Sequence, residues 1–205
     1  MTNFVQILRD MTVLFATHNN HKYNEIRSIV PSGLTLLDMP AAGIHDDIPE
    51  TGDTLEENAL IKARECFRLT GIVSFADDTG LEVEFLDGEP GVRSARYAGE
   101  GKDMNRNIEK LLRKLDGAQN RSARFRTVIA LVSGNGEFMF EGIAGGSIIK
   151  ERRGIHGFGY DPVFLPEGSK LTFAEMPLAE KNLISHRASA FRKLSEFLSS
   201  AAFKQ

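Results

Sequence analysis

The sequence is short of several things, and each shortage removes a class of protein. Among 205 residues there is one cysteine, Cys66, so an intrachain disulfide framework is impossible and a reducing compartment suits the chain. No run approaches the roughly 20 apolar residues that a membrane span needs. The stretch Met1–Asp10 lacks a basic segment followed by an apolar one, so no signal peptide is expected. There is no basic excess either: 25 Lys and Arg against 28 Asp and Glu leave a formal net charge of −3. A general nucleic-acid binder usually carries a basic field, so none is expected here, although one pocket could still concentrate positive charge. Internal repeats, low-complexity runs and long linkers are missing too. The expectation is a cytoplasmic protein with neither a membrane nor a nucleic-acid partner.

What is present is ordinary for a soluble globular chain, with 41% hydrophobic and 26% charged residues. The length suits one large domain or two closely joined lobes. Residues 1–11 read as an N-terminal extension with no evident core role, with Met11 a candidate natural start, and residues 12–200 read as a single domain. Thr12–Ala16 is a short apolar run, as in a buried strand, and polar Thr17-His18-Asn19-Asn20 follows it. Ile26, Ile29 and Val30 recur at helical spacing, which predicts a helix over about Tyr23–Val30, stopped by Pro31-Ser32-Gly33. Thr54 and Glu57 match a capping box. The helix behind them places Leu55, Ala59, Ala63, Cys66 and Phe67 on one face and ends near Gly71.

Ile72–Ala76 then reads as a buried strand ending at Asp77-Asp78-Thr79-Gly80. Leu81–Phe85 alternates apolar and acidic residues as a half-exposed strand does, with Asp87-Gly88 as its turn. Ile108, Leu111, Leu112 and Leu115 form a helical stripe within Asp103–Leu115. Phe125–Val132 and Glu137–Ile149 look like strands joined at Ser133–Gly136. Gly154–Asp161 is a glycine-punctuated loop. The last helix has Ser185 as its natural N-cap and Phe191, Leu194 and Leu198 on its apolar side. The order β-α-…-α-β-β-…-α-β-β-…-α predicts a mixed α/β domain, not a strict βαβ repeat.

Four groups of residues carry possible chemistry. Thr17, Asn19 and Lys22 follow the first strand, where helix N-terminal amides and a lysine would make an anion site. The glycines of a Walker A loop are missing, and a solvated polar loop is the alternative. Asp77-Asp78 at a strand end, with Glu50 before Thr51-Gly52, offers the hard oxygen donors that Mg²⁺ takes one or two at a time beside phosphate oxygens. Adjacent strand residues face opposite ways, so only one of the two aspartates can point at a metal; the alternative is a solvated Asx turn. Gly157-Phe158-Gly159-Tyr160-Asp161-Pro162 permits close backbone approach to a flat ligand, with Phe158 to stack and Asp161 to accept hydrogen bonds, unless Phe158 is simply core. Lys181 lies before the expected cap, and His186-Arg187 bring donors to a helix N-terminus, where the helix dipole disfavours cations; an oxygen-rich or anionic ligand would explain them, and an unfavourably charged but tolerated helix start is the alternative.

Together these segments resemble the Ham1/inosine triphosphate pyrophosphatase family. The likeness runs from Val13 to Leu194 through Leu14–Asn19 with Lys22 and Glu25, Glu50–Ala59, Ala76–Val83, Pro90–Gly99, Gly157–Pro162 and Ser185-His186-Arg187. It implies a two-lobed mixed α/β fold around a long central mixed sheet, with the active site in the cleft between lobes. It also implies hydrolysis of the α–β bond of non-standard purine nucleoside triphosphates (ITP, dITP, XTP), a Mg²⁺ cofactor and a homodimer. Carried onto this chain, Thr17, Asn19 and Lys22 would hold the triphosphate. Glu50 and Asp78 would serve the metal, and Asp78 would take the proton of the attacking water. Thr79 stands where the family more often has serine. Phe158 would stack on the base, while Gly159, Tyr160, Asp161, Lys181, His186 and Arg187 would complete the nucleotide pocket. His18 lies in the phosphate loop at a position that is glycine in some relatives, and Pro49 precedes Glu50 where some carry a second acid. A Maf-like nucleotide pyrophosphatase shares this general chemistry without the Ser-His-Arg ending. A non-catalytic nucleotide- or RNA-binding module is the alternative from another class.

Overall fold

The computed structural model describes residues 11–203, so the expected extension lies, apart from Met11, outside the described residues. The chain divides into two compact units. The first runs through Asp77 and takes in Val128–Glu141 and the stretch from Ala190; the second holds Asp78–Thr127 and Gly142–Ser189.

In the first unit, β1 (Met11–Phe15) leads through α1 (Asn20–Arg27) to β2 (Leu34–Asp38), which pairs with β1 in parallel from Met11↔Leu34 to Phe15↔Asp38. The sequence pattern did not single out β2. It also placed α1 too late: Asn19 caps the helix, and the turn ends before Pro31, which disfavours helical backbone at Val30. α2 (Leu55–Thr70) begins at the expected capping box. Thr54 Oγ1 accepts from the Glu57 amide at 3.1 Å, and Glu57 Oε2 accepts from the Thr54 amide at 3.2 Å. Such a cap stabilises by about 1 kcal/mol.

The strand alternation builds two cores. Val13 and Phe15, with Phe75, Ile129 and Leu131, face the side that packs Ile26, Phe191 and Leu194. Leu14 and Ala16, with Ala76, Ala130 and Val132, face the side that packs Ala59, Ala63 and Cys66. Phe15 and Phe75 stack at 4.6 Å between centroids. Truncating either to alanine would cost about 3–5 kcal/mol. Burial pushes the Cys66 thiol up to about 11, so it stays protonated and inert at neutral pH.

β3 (Ser74–Val83) corrects the expectation that a strand ends at Asp77: the two aspartates stand mid-strand and extended structure continues through Gly80. Gly80 is why it can. A Cβ there would lie 2.8 Å from the carbonyl oxygen of Gly91 in β4 (Pro90–Gly91), which pairs antiparallel with β3. The glycine serves close backbone approach.

In the second unit, α3 (Met104–Lys114) lays Ile108 and Leu111 on a core with Leu81, Val83, Phe125 and Phe164. β5 (Ser122–Ser133), β6 (Gly136–Ile148) and the short β7 (Phe164–Pro166) complete a sheet of strand order β2-β1-β3-β5-β6-β7. β6 and β7 pair antiparallel while β1 and β2 pair in parallel, so the sheet is mixed, as expected. α4 (Leu178–Ile184) was not anticipated; α5 (His186–Ser199) starts behind Ser185 as read. No helix among the described residues is long and apolar enough to cross a membrane.

Candidate active site

The first unit gathers charge around Asp77. Its side chain is 1% exposed and lies 2.9 Å from Lys22 Nζ, in the first turn of α1. Lys62, projecting from α2, donates to the Asp77 carbonyl at 2.7 Å and to Glu50 Oε1 at 2.8 Å. One lysine therefore ties the Glu50 loop to β3. Asp77 and Asp78, being consecutive in a strand, diverge, and it is Asp77 that turns to Lys22.

The loop between β1 and α1 is tightly self-bonded. Asn19 Oδ1 accepts from the amides of His21 at 2.9 Å and Lys22 at 3.2 Å, and Thr17 Oγ1 accepts from the Asn19 amide at 3.0 Å. Two helix amides expected to face an anion are thus capped by Asn19. His18 turns toward the loop before Glu50, with Nδ1 2.9 Å from Asp47 Oδ1 and Nε2 3.1 Å from the Ile44 carbonyl oxygen.

The second unit gathers a cation-rich set around Phe158. Lys181 Nζ is 2.5 Å from Asp161 Oδ2, with both side chains 3% exposed. The same carboxylate oxygen accepts from the Phe158 amide at 2.9 Å. Gly157 allows this turn: its φ is +72°, and a Cβ would lie 2.1 Å from Asp161 Oδ2. Lys181 Nζ and Arg187 Cζ each stand 5.4 Å from the centroid of the partly exposed Phe158 ring. Arg187 also donates to Thr79 Oγ1 at 3.2 Å, and Thr79 shares a 2.7 Å hydroxyl contact with Thr127.

Lys181, His186 and Arg187 are all buried, each 2% exposed. His186 stacks on Phe125 at 4.5 Å with 20° between the planes, which fixes its ring against the core. Tyr160, expected in the pocket, spends its hydroxyl on the Ser94 carbonyl at 2.9 Å and is buried, with burial holding the phenol well above its usual range. It acts as a strut under the loop. Gly159 lies beside it and donates its amide to Met104 Sδ at 3.1 Å.

The structure thus joins Lys22 with Asp77, and Phe158 with Asp161, Lys181, Arg187 and Thr79. Reasoning from sequence missed Lys62. Its signal was there: Lys62 falls on the apolar stripe of α2 with Leu55, Ala59 and Cys66, and all four are buried. Glu50, Asp77 and Asp78 are the carboxylates expected to offer a metal oxygen donors; among the described residues no group of three or more potential metal-ligating side chains stands together. An open groove of about 920 Å³ in the second unit, lined in part by Glu82, Arg124, Gly146, Leu165 and Glu167, contains none of the expected site residues.

Fold and side chains define a mixed α/β protein with one charged cluster around Asp77 and another around Phe158. The chain belongs to the Ham1 family, whose model matches residues 13–197. It is 53% identical over 189 residues to a dITP/XTP pyrophosphatase of Christiangramia forsetii, covering 92% of this chain and 100% of that one. Its identity to a dITP/XTP pyrophosphatase of Porphyromonas gingivalis is 52% over 187 residues, covering 91% and 96%. Among solved structures it resembles a HAM1 protein from Coxiella burnetii, with a TM-score of 0.84, 38% identity and coverage of 93% and 100%. The Staphylococcus aureus Ham1 protein gives 0.82 and 38%, with coverage of 91% and 97%.

Proposed function

We propose that the chain hydrolyses the α–β phosphoanhydride of purine nucleoside triphosphates bearing a 6-oxo base (ITP, dITP and XTP), releasing the monophosphate and pyrophosphate. The observation that carries this is identity of about half the residues, over nearly the whole length, to proteins named dITP/XTP pyrophosphatases. The side chains supply a chemical reason for it. Lys22 has three ammonium protons, so it can keep Asp77 and still donate to a phosphate oxygen. Lys62 holds Glu50 in place through Oε1. Asp77 is committed to Lys22, so Asp78 is the aspartate we assign to the attacking water, accepting its proton as the in-line attack begins.

Glu50 and Asp78 are the residues we assign to Mg²⁺. Their chemistry suits it: this ion needs only one or two carboxylates, because phosphate oxygens and water complete its shell, so no preformed cage of three acids is required. When bound, the ion supplies charge neutralisation on the phosphate oxygens. In the second unit, Phe158 would stack on the base and the donors Lys181, His186 and Arg187 would face oxygen at position 6. Adenine carries an amino group there and would leave buried donors unpaired, at a cost of about 1–3 kcal/mol. We also take the protein to work in the cytoplasm as a homodimer; the single buried thiol supports a reducing compartment, and the dimer rests on the family likeness.

The test is pyrophosphate release from ITP, dITP, XTP, ATP and GTP, with Mg²⁺ and with a chelator. The expected outcome is turnover of the first three, at least about tenfold faster than ATP and lost on chelation. Failure of the wild-type protein to cleave any triphosphate would sink the proposal. ATP as the best substrate would sink the base assignment alone, and GTP, which also carries a 6-oxo group, as the best substrate would sink only the restriction to non-standard bases.

A further inference from the structure

His18 adds a device that the proposed chemistry does not itself require. Its ring stands between two oxygens, the Asp47 carboxylate at 2.9 Å from Nδ1 and the Ile44 carbonyl at 3.1 Å from Nε2. Neither oxygen has a proton to give. A neutral imidazole has one N–H, so it would satisfy one partner and set a lone pair against the other, whereas the imidazolium donates to both. The two contacts also join particular pieces of chain. His18 lies between Thr17 and Asn19, the residue that caps α1 and so sets the first turn that carries Lys22. Ile44 and Asp47 lie in the segment that runs directly to Glu50.

We propose that protonated His18 is a positioning residue, clamping the Ile44–Asp47 segment to the loop before α1 and so setting Glu50 and Lys22 for the triphosphate. This rests on the pyrophosphatase reading. The charged groups whose fields reach the ring are Asp47 and, more weakly, Asp38 at the end of β2. The Asp47 hydrogen bond holds the proton more firmly than in a free histidine, with burial opposing it. Asp47 itself is largely exposed, its side chain 90% accessible, so the clamp can open without disturbing the core.

The experiment has two arms. In the unliganded protein, imidazole nitrogen shifts are followed by NMR against pH, in wild type and Asp47→Asn. The ring is expected to be doubly protonated at pH ~6 in wild type, with its midpoint moved to lower pH in the variant. In the second arm, KM and kcat for dITP are measured across the same range. Wild-type KM is expected to rise about fivefold as the ring deprotonates while kcat changes less than about twofold. Asp47→Asn should show the same rise at lower pH, and His18→Gly should show the raised KM throughout with no step. A ring that is neutral at pH ~6, or identical KM profiles in wild type and Asp47→Asn, would overturn the clamp. Absence of turnover in the wild type would instead remove the pyrophosphatase reading, and with it the role assigned here, while the titration would still report whether the contact carries a proton.

Discussion

Among the described residues, the buried acidic and basic side chains of the first unit are Glu25, Lys62 and Asp77; those of the second are Asp161, Lys181, His186 and Arg187. One set leans acidic and the other leans basic, although the chain as a whole is close to neutral. Burying charge is costly unless it is paired, so each lean needs a reason beyond stability. An acid-leaning set with lysines held close suits a metal–phosphate complex, in which the ion and the polyanion arrive together. A donor-rich set around an aromatic ring suits a neutral base with carbonyl oxygens. The difference teaches that the proposed chemistry and the proposed selectivity draw on separate side chains, and it should be possible to lose one without the other.

The sharpest way to break that separation is to compare neighbouring aspartates. Asp78→Asn removes the proposed acceptor of the water proton and is expected to lower kcat by about 10²–10⁴-fold with little change in melting temperature. Asp77→Asn leaves Lys22 without its buried carboxylate, so it should lower both stability and phosphate affinity, with KM rising more than kcat falls. Steady-state kinetics and thermal melts on both variants decide the matter. If Asp78→Asn kept full activity, or if the two variants were indistinguishable, the division of labour along β3 would be wrong.

A smaller effect sharpens the second unit. Lys181→Met leaves the buried Asp161 carboxylate without its lysine, which is expected to cost about 3–5 kcal/mol of stability. Lys181→Met combined with Asp161→Asn removes the stranded charge and keeps an acceptor for the Phe158 amide, so much of that loss should return. Denaturant unfolding of the singles and the double gives the coupling. Strict additivity would mean that the 2.5 Å contact contributes nothing.

How far the sequence could be read follows from what each feature depends on. The capping box at Thr54–Glu57, the stripe on α3 and the Ser185 cap are local, set within a turn or two, and all three stand where the pattern put them. β2 was missed because Leu34–Asp38 is a short run with no clear alternation, and only pairing with β1 fixes it as strand. The continuity of β3 was missed because Asp77-Asp78-Thr79-Gly80 reads as a strand end until Gly91 is brought against Gly80. Lys62 was missed for the same kind of reason: a lysine in a helix reads as solvated until Glu50 and the Asp77 carbonyl are seen to accept its hydrogen bonds. Of the site residues, the family motifs supplied the identities. What they could not supply was which partner each side chain keeps, such as Tyr160 on Ser94 or Asp161 on Lys181.

The smallest expected effect returns to the first unit and to its one exposed clamp. The His18 ring holds its proton more firmly in the folded chain than unfolded, because the Asp47 hydrogen bond favours the charged form. A group of this kind adds stability that is fully present below its unfolded pKa of ~6.5 and is lost as pH rises through the higher folded value. The partner carboxylate is largely in water, so screening should hold the contribution below about 1 kcal/mol. Urea unfolding of wild type and His18→Gln at pH ~6 and pH ~8.5 should therefore show a stability gap at the lower pH that closes at the higher one. The Lys181–Asp161 pair provides the internal contrast. The Lys181→Met deficit involves no imidazole and should have the same size at both pH values. A His18 gap that persisted at pH ~8.5 would mean that the contact survives loss of the proton, and the ring would be a neutral strut instead of an ionic clamp.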